Sequence, residues 1–206
     1  MKKIYTINDQ NEQQQALDAA DEILKKGGVI AIPTDTVYGF ATLVHDEEAI
    51  AKLYLIKERD QNKSIAVLLG DANQASSVAA DFPDKAQRLA KAYWPGALTI
   101  IVRKKEGLPP DLTSNNLVGL RIPDHDFVRE LIRRTGPLAV TSANISGQPP
   151  AKSIDEFKDI LGEKLDLVID GGVCSGGVPS SVINCETNPA VILREGAISG
   201  KDLLSC

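Results

Sequence analysis

Val29-Ile30-Ala31-Ile32-Pro33-Thr34-Asp35-Thr36-Val37-Tyr38-Gly39 is the stretch that decides the fold class. Four consecutive apolar residues read as a strand buried on both faces, and Pro33 ends it. Directly behind come hydroxyls and one carboxylate on a tight turn, which can hydrogen-bond a small polar substrate or simply their own backbone. Upstream, Asn11 and Gln14 resemble a capping box, after which Leu17, Ala20, Ile23 and Leu24 repeat at helical spacing until Gly27-Gly28.

The same alternation continues downstream. Helical spacing is expected from about Asp46 to Lys57, a strand over 65–69, a helix over 84–93, then strands over 98–102 and 117–121. A helix over 126–134 and a strand over 138–141 follow. Ser153 and Glu156 form a second capping-box pair opening a helix with Phe157, Ile160 and Leu161. Strands over 167–169, 181–183 and 191–193 and a short helix near Lys201 close the pattern, and the glycine-rich stretch 171–179 reads as a loop. The expectation is one α/β domain over 1–206 with a mixed sheet.

At 206 residues the chain can bury a core without a disulfide or metal staple. Its 43% hydrophobic and 25% charged residues exclude a largely disordered chain. With 28 acidic against 23 basic residues it is not a general polyanion coat, so nucleic-acid contact would rest on a local patch. Cys174, Cys185 and Cys206 form neither a zinc pattern nor a disulfide framework, and they fit a reducing compartment. No signal peptide and no membrane-length apolar run is present, so a cytoplasmic location is expected.

Polar clusters fall where the expected strands end, the usual ligand position in open α/β sheets. After the Pro33–Gly39 turn, the second cluster is Lys57-Glu58-Arg59 with Lys63, cations that could neutralise a polyphosphate or serve only the helix dipole. The third is Thr141-Ser142-Ala143-Asn144-Ile145-Ser146-Gly147, able to offer hydroxyls and N–H groups to phosphate oxygens. Arg121 and Arg194 each end a strand, where a buried charge demands an anion or carboxylate partner. A Walker A loop, a G-x-G-x-x-G turn and H-E-x-x-H are all absent, and His45 and His125 stand apart from any convincing triad. One Trp and four Phe are too few for a nucleic-acid stacking platform.

In order, PTDTVYG at 33–39, KER at 57–59, WPGALT at 94–99, GLRIP at 119–123, TSANISG at 141–147, DGG at 170–172, SSVI at 180–183 and LREG at 193–196 resemble the YrdC-type threonylcarbamoyl-AMP synthases. Each piece is weak alone; their joint occurrence in register over nearly the whole chain is specific. The resemblance implies a YrdC-like α/β domain with a twisted mixed sheet, flanking helices and an open concave cleft, without the additional carboxyl-terminal domain of longer members.

The implied reaction joins L-threonine, bicarbonate and ATP into threonylcarbamoyl-AMP and pyrophosphate, with Mg²⁺ accompanying the nucleotide. The product serves N6-threonylcarbamoyladenosine formation in tRNA through separate transfer proteins. By resemblance, Thr36, Arg121 and Ser180 bind threonine, and Lys57 and Arg59 are catalytic cations. Arg59, Lys63, Ser142, Asn144 and Arg194 bind the nucleotide, and no residue holds a metal. Asp60 stands where the family often has Pro, and Leu68 where some members place a histidine on threonine. An alternative is a YrdC-fold paralogue that binds tRNA or double-stranded RNA without making the adenylate.

Overall fold

The structure is a computed structural model that describes residues 3–58, 60 and 63–206. Its elements in chain order are β1 (Lys3–Thr6), α1 (Gln10–Lys25), β2 (Ile30–Ile32), β3 (Gly39–Leu43), α2 (Glu47–Lys57), β4 (Ala66–Leu68), α3 (Ala75–Val78), α4 (Asp84–Tyr93) and β5 (Leu98–Arg103). They continue with β6 (Leu117–Arg121), α5 (Asp126–Thr135), β7 (Leu138–Ser142), α6 (Lys158–Leu161), β8 (Leu167–Asp170), β9 (Ser181–Asn184), β10 (Val191–Arg194) and α7 (Gly200–Ser205). The strands form one sheet in the order β1-β8-β2-β3-β7-β4-β6-β5-β9-β10. Pairs such as β4–β6 and β5–β9 are parallel while β3–β7 and β5–β6 are antiparallel, so the sheet is mixed, as expected.

Two strands escape the sequence reading. β1 is a mostly exposed edge strand with no apolar alternation, and β3 opens on Gly39, inside what reads as a turn. The α1 cap also differs. Asp9 Oδ1 accepts from Glu12 N at 2.8 Å and Glu12 Oε2 accepts from Asn8 N at 2.9 Å, so the reciprocal pair lies two residues before the expected one. Carboxylates suit the positive helix end better than the amides of Asn11 and Gln14, and Gln14 instead bonds Asp18. Near Ser153 no long helix forms. Its side chain caps nothing, Glu156 bonds the Lys152 amide, and a 3-10 turn leads into the four-residue α6.

Strand periodicity explains where helices pack and where they do not, because alternate side chains point to opposite faces. One face presents Phe40, Val67, Ile100, Leu120 and Ile183 to Ile50 and Leu53 of α2, Leu89 of α4 and Leu203 of α7. The other face presents Ile30, Ile32, Ala41, Leu138 and Leu167 to Leu17 and Leu24 of α1 and to Val128, Leu131 and Ile132 of α5. On β5, β6 and β9 that second face carries Thr99, Ile101, Gly119, Arg121 and Val182, which line a cavity instead of joining the helix-covered core. No helix among the described residues is long and apolar enough to cross a membrane. The three cysteines are unpaired, and burial pushes the Cys185 thiol up to about 11 and the Cys174 thiol upward too, which disqualifies both as nucleophiles near neutrality.

Candidate active site

The cavity on the bare half-sheet has a volume of about 280 Å³. Its floor exists because two strand positions lack side chains. A Cβ at Gly119 would stand 3.0 Å from Thr99 Cγ2, and one at Gly39 would stand 2.7 Å from Val140 Cγ1. Leu68, Ile101, Val140 and Val182 make the walls apolar, and polar groups converge from three strand ends.

At the first of these ends, Arg121 closes β6 and is buried. Its Nε donates to Gly96 O at 2.9 Å, Nη1 to Thr36 Oγ1 at 2.9 Å and Nη2 to Asp35 Oδ1 at 2.5 Å. Among the described residues, three of the five guanidinium N–H groups are therefore spent on the protein, and two remain for a ligand. Burial pushes Arg121 below its usual range, Asp35 opposes that, and Arg194 adds slightly to the lowering. Arginine starts high enough to stay charged.

Thr34 Oγ1 donates to Val37 O at 2.7 Å, accepts from the Thr36 and Val37 amides at 3.1 and 3.2 Å, and lies 3.0 Å from Thr36 Oγ1. Thr36 Oγ1 accepts from Arg121, which leaves it one lone pair for a ligand in the cavity that it lines. The loop at 171–179 braces this turn from behind, with Gly176 N donating to Asp35 O at 3.1 Å and Gly177 N to Thr36 O at 2.8 Å.

A second cluster joins β5, β9 and β10. Ser180 Oγ lies 2.8 Å from Thr99 Oγ1 and accepts from Arg194 Nη2 at 3.2 Å, while Arg194 Nε donates to Ser180 O at 2.9 Å. Burial alone lowers Arg194 from its ordinary value. The third cluster follows β7. Ser142 Oγ donates to Asn144 Oδ1 at 2.7 Å, and Lys57 Nζ reaches the same oxygen at 2.7 Å, Ser142 Oγ at 3.4 Å and also Ser142 O.

Thr36, Arg121, Ser180, Ser142 and Arg194 therefore meet at one cavity, as the sequence suggests. Lys57 is not among the described residues that line it, but its Nζ reaches Ser142 Oγ, which does, at 3.4 Å. The ammonium lies fully inside the protein, behind the loop that carries Ser142 and Asn144. Asn144 stands one step beyond the cavity wall, and Lys63 sits on an exposed turn where its carbonyl accepts from Tyr54 Oη at 3.0 Å. Arg59 lies outside the described residues. Thr99 and Thr141 also line the cavity; the sequence reading quoted both inside its clusters and motifs without giving either a role of its own, and it counted the Asp35 carboxylate only among groups able to bond a substrate or their own backbone. Thr99 carried a readable signal, a lone polar residue in an apolar strand on the same face as Gly119.

The Sua5/YciO/YrdC family model, described as "Telomere recombination", matches residues 22–196. The threonylcarbamoyl-AMP synthase of Bacillus subtilis is 35% identical over 196 residues, which cover 94% of this chain and 56% of that protein. Among solved structures, P. abyssi Sua5 complexed with L-threonine superposes with a TM-score of 0.90 at 30% identity, over 100% of this chain and 60% of that one. E. coli YciO superposes with a TM-score of 0.89 at 29% identity, over 98% of this chain and 100% of that one. The chain thus spans a little over half of the two longer relatives and the full length of the third.

Proposed function

The chain belongs to the Sua5/YciO/YrdC family, and from that premise we propose that it is an L-threonylcarbamoyladenylate synthase. The reaction takes L-threonine, bicarbonate and ATP. The threonine amine takes up the bicarbonate carbon with loss of water, giving a carbamate. A carbamate oxygen then attacks the α-phosphorus of ATP, and the bond to pyrophosphate breaks with its electron pair leaving on pyrophosphate.

The observation that carries this reading is Arg121, a buried cation with two unspent N–H groups at a small, half-apolar cavity. Two N–H donors on one guanidinium suit a carboxylate, and the remaining lone pair on Thr36 accepts from the amine or hydroxyl of the same amino acid. Ser180 flanks that seat, and the apolar wall takes the threonine methyl. The solved P. abyssi relative that holds L-threonine supports the assignment.

Arg194 and Ser142 face the phosphates. Catalysis then consists of bringing two anions together and stabilising charge on departing pyrophosphate, and no side chain becomes a covalent nucleophile. Among the described residues no three acidic, histidine or cysteine side chains gather as a metal site, and Asp35 is engaged by Arg121. Mg²⁺ enters as part of the nucleotide substrate, because this hard cation keeps its waters and binds phosphate oxygens.

The product is a mixed carbamic–phosphoric anhydride, consumed by transfer proteins that modify tRNA in the cytoplasm. An RNA-binding role without synthase activity is the weaker reading, because the cavity offers a seat for an amino acid rather than a basic track. Pyrophosphate release that depends on both threonine and bicarbonate is the test.

A further inference from the structure

Tyr38 is fully buried, yet four hydrogen bonds leave it for three different segments. Its backbone N donates to Ala151 O and its backbone O accepts from Ala143 N, both at 2.8 Å, which fixes the two ends of the loop after β7. Its hydroxyl donates to Gly172 O at 2.8 Å and accepts from Gly171 N at 3.0 Å, 134 and 133 residues away. The ring packs on Phe157 with centroids 5.7 Å apart.

We propose that the Tyr38 hydroxyl is a positioning residue for the amino-acid seat, acting through the 171–179 loop on Asp35 and Thr36. The route is continuous. Tyr38 pins Gly171 and Gly172, where Gly172 turns at φ +74° and Gly171 closes so tightly on Pro33 that a Cβ would stand 2.7 Å from Pro33 Cγ. Five residues on, Gly176 N and Gly177 N hold the carbonyls of Asp35 and Thr36. The side chains of those two residues hold two of the three bonded nitrogens of Arg121. Burial raises the Tyr38 pKa above its ordinary value, so the hydroxyl keeps its proton and its donor role at every working pH. Ring packing alone would need only Phe here; the hydroxyl is what reaches the loop.

The inference rests on the synthase reading, and the test separates the two. Tyr38→Phe removes one oxygen and keeps the ring. The expected result is a KM for L-threonine raised about tenfold with the KM for ATP within about twofold of wild type. Faster amide exchange at Gly176 and Gly177 is expected alongside. Phe157→Leu, which loosens the same ring packing but keeps the hydroxyl, lowers the melting temperature and leaves the threonine KM within about twofold.

A Tyr38→Phe threonine KM equal to wild type, or threonine and ATP constants rising together, overturns the proposal. So does a threonine KM that rises equally in Phe157→Leu. Wild-type protein that releases no threonine-dependent pyrophosphate sinks the synthase reading instead. Exchange at Gly176 and Gly177 then remains the test of the anchor, and unchanged protection in Tyr38→Phe refutes it.

Discussion

Arg121 Nη2 stands 2.5 Å from Asp35 Oδ1, and the two side chains are only 8% and 14% exposed. A pair so sheltered is held by geometry as much as by charge, since removing one partner strands the other in low dielectric. Its bond to Asp35, with those to Thr36 Oγ1 and Gly96 O, fixes the guanidinium plane and leaves two N–H groups for a ligand.

Asp35→Asn keeps the shape and removes the charge. It should destabilise the fold by about 3 kcal/mol in denaturant titrations, because Arg121 loses its buried counter-charge. The threonine KM should rise at least about tenfold while nucleotide affinity is nearly kept. Unchanged stability and unchanged KM would mean that Asp35 is a bystander.

Lys57 Nζ reaches Ser142 O, Ser142 Oγ and Asn144 Oδ1, so its loss disturbs the loop after β7. Lys57→Met should stay folded with a lowered melting temperature and lose about 100-fold in kcat as the loop shifts. Lys57→Arg should not rescue it, because the site is closed around an ammonium. Full activity in either variant would contradict this placement.

Gly119 keeps the cavity floor open at mid-strand. Gly119→Val should fill that volume, cost about 1–2 kcal/mol because Thr99 Cγ2 must give way, and abolish threonine binding by calorimetry. Binding at wild-type affinity would place the amino-acid seat elsewhere.

His125 precedes α5, and its Nδ1 is buried without a hydrogen-bond partner among the described residues. Burial lowers its pKa from the usual 6.5; Asp35, Asp126 and Asp124 oppose the shift and Arg129 adds to it. A depressed folded-state pKa means the unfolded chain binds the proton first, so this stability is complete above pH 6.5 and is lost as pH falls toward the folded value. The melting temperature should drop between pH 7 and 5, and His125→Asn should flatten that drop. An identical slope in the variant would refute the assignment.

The strands read from the sequence were those with uninterrupted apolar runs, such as β2 and β5, because burial on both faces leaves that mark. β1 left none, being an exposed edge, and β3 hid behind the glycine that opens the cavity. Thr36, Ser142 and Arg194, singled out as polar residues at or just after strands, come together on one cavity. The Asp35–Arg121 pair spans 86 residues, and no local pattern encodes such a partner. The inward course of Lys57 was not legible for a related reason. A lysine in the last turn of a helix reads as a solvated cation favouring the dipole, and only the packed loop after β7 turns it inward.

The central claim is tested most directly by pyrophosphate release from Mg·ATP with bicarbonate, comparing L-threonine, L-serine and no amino acid. The account predicts release that requires both bicarbonate and threonine, falls with serine, and leaves a product with the mass of threonylcarbamoyl-AMP. Nucleotide binding without threonine-dependent release would contradict it.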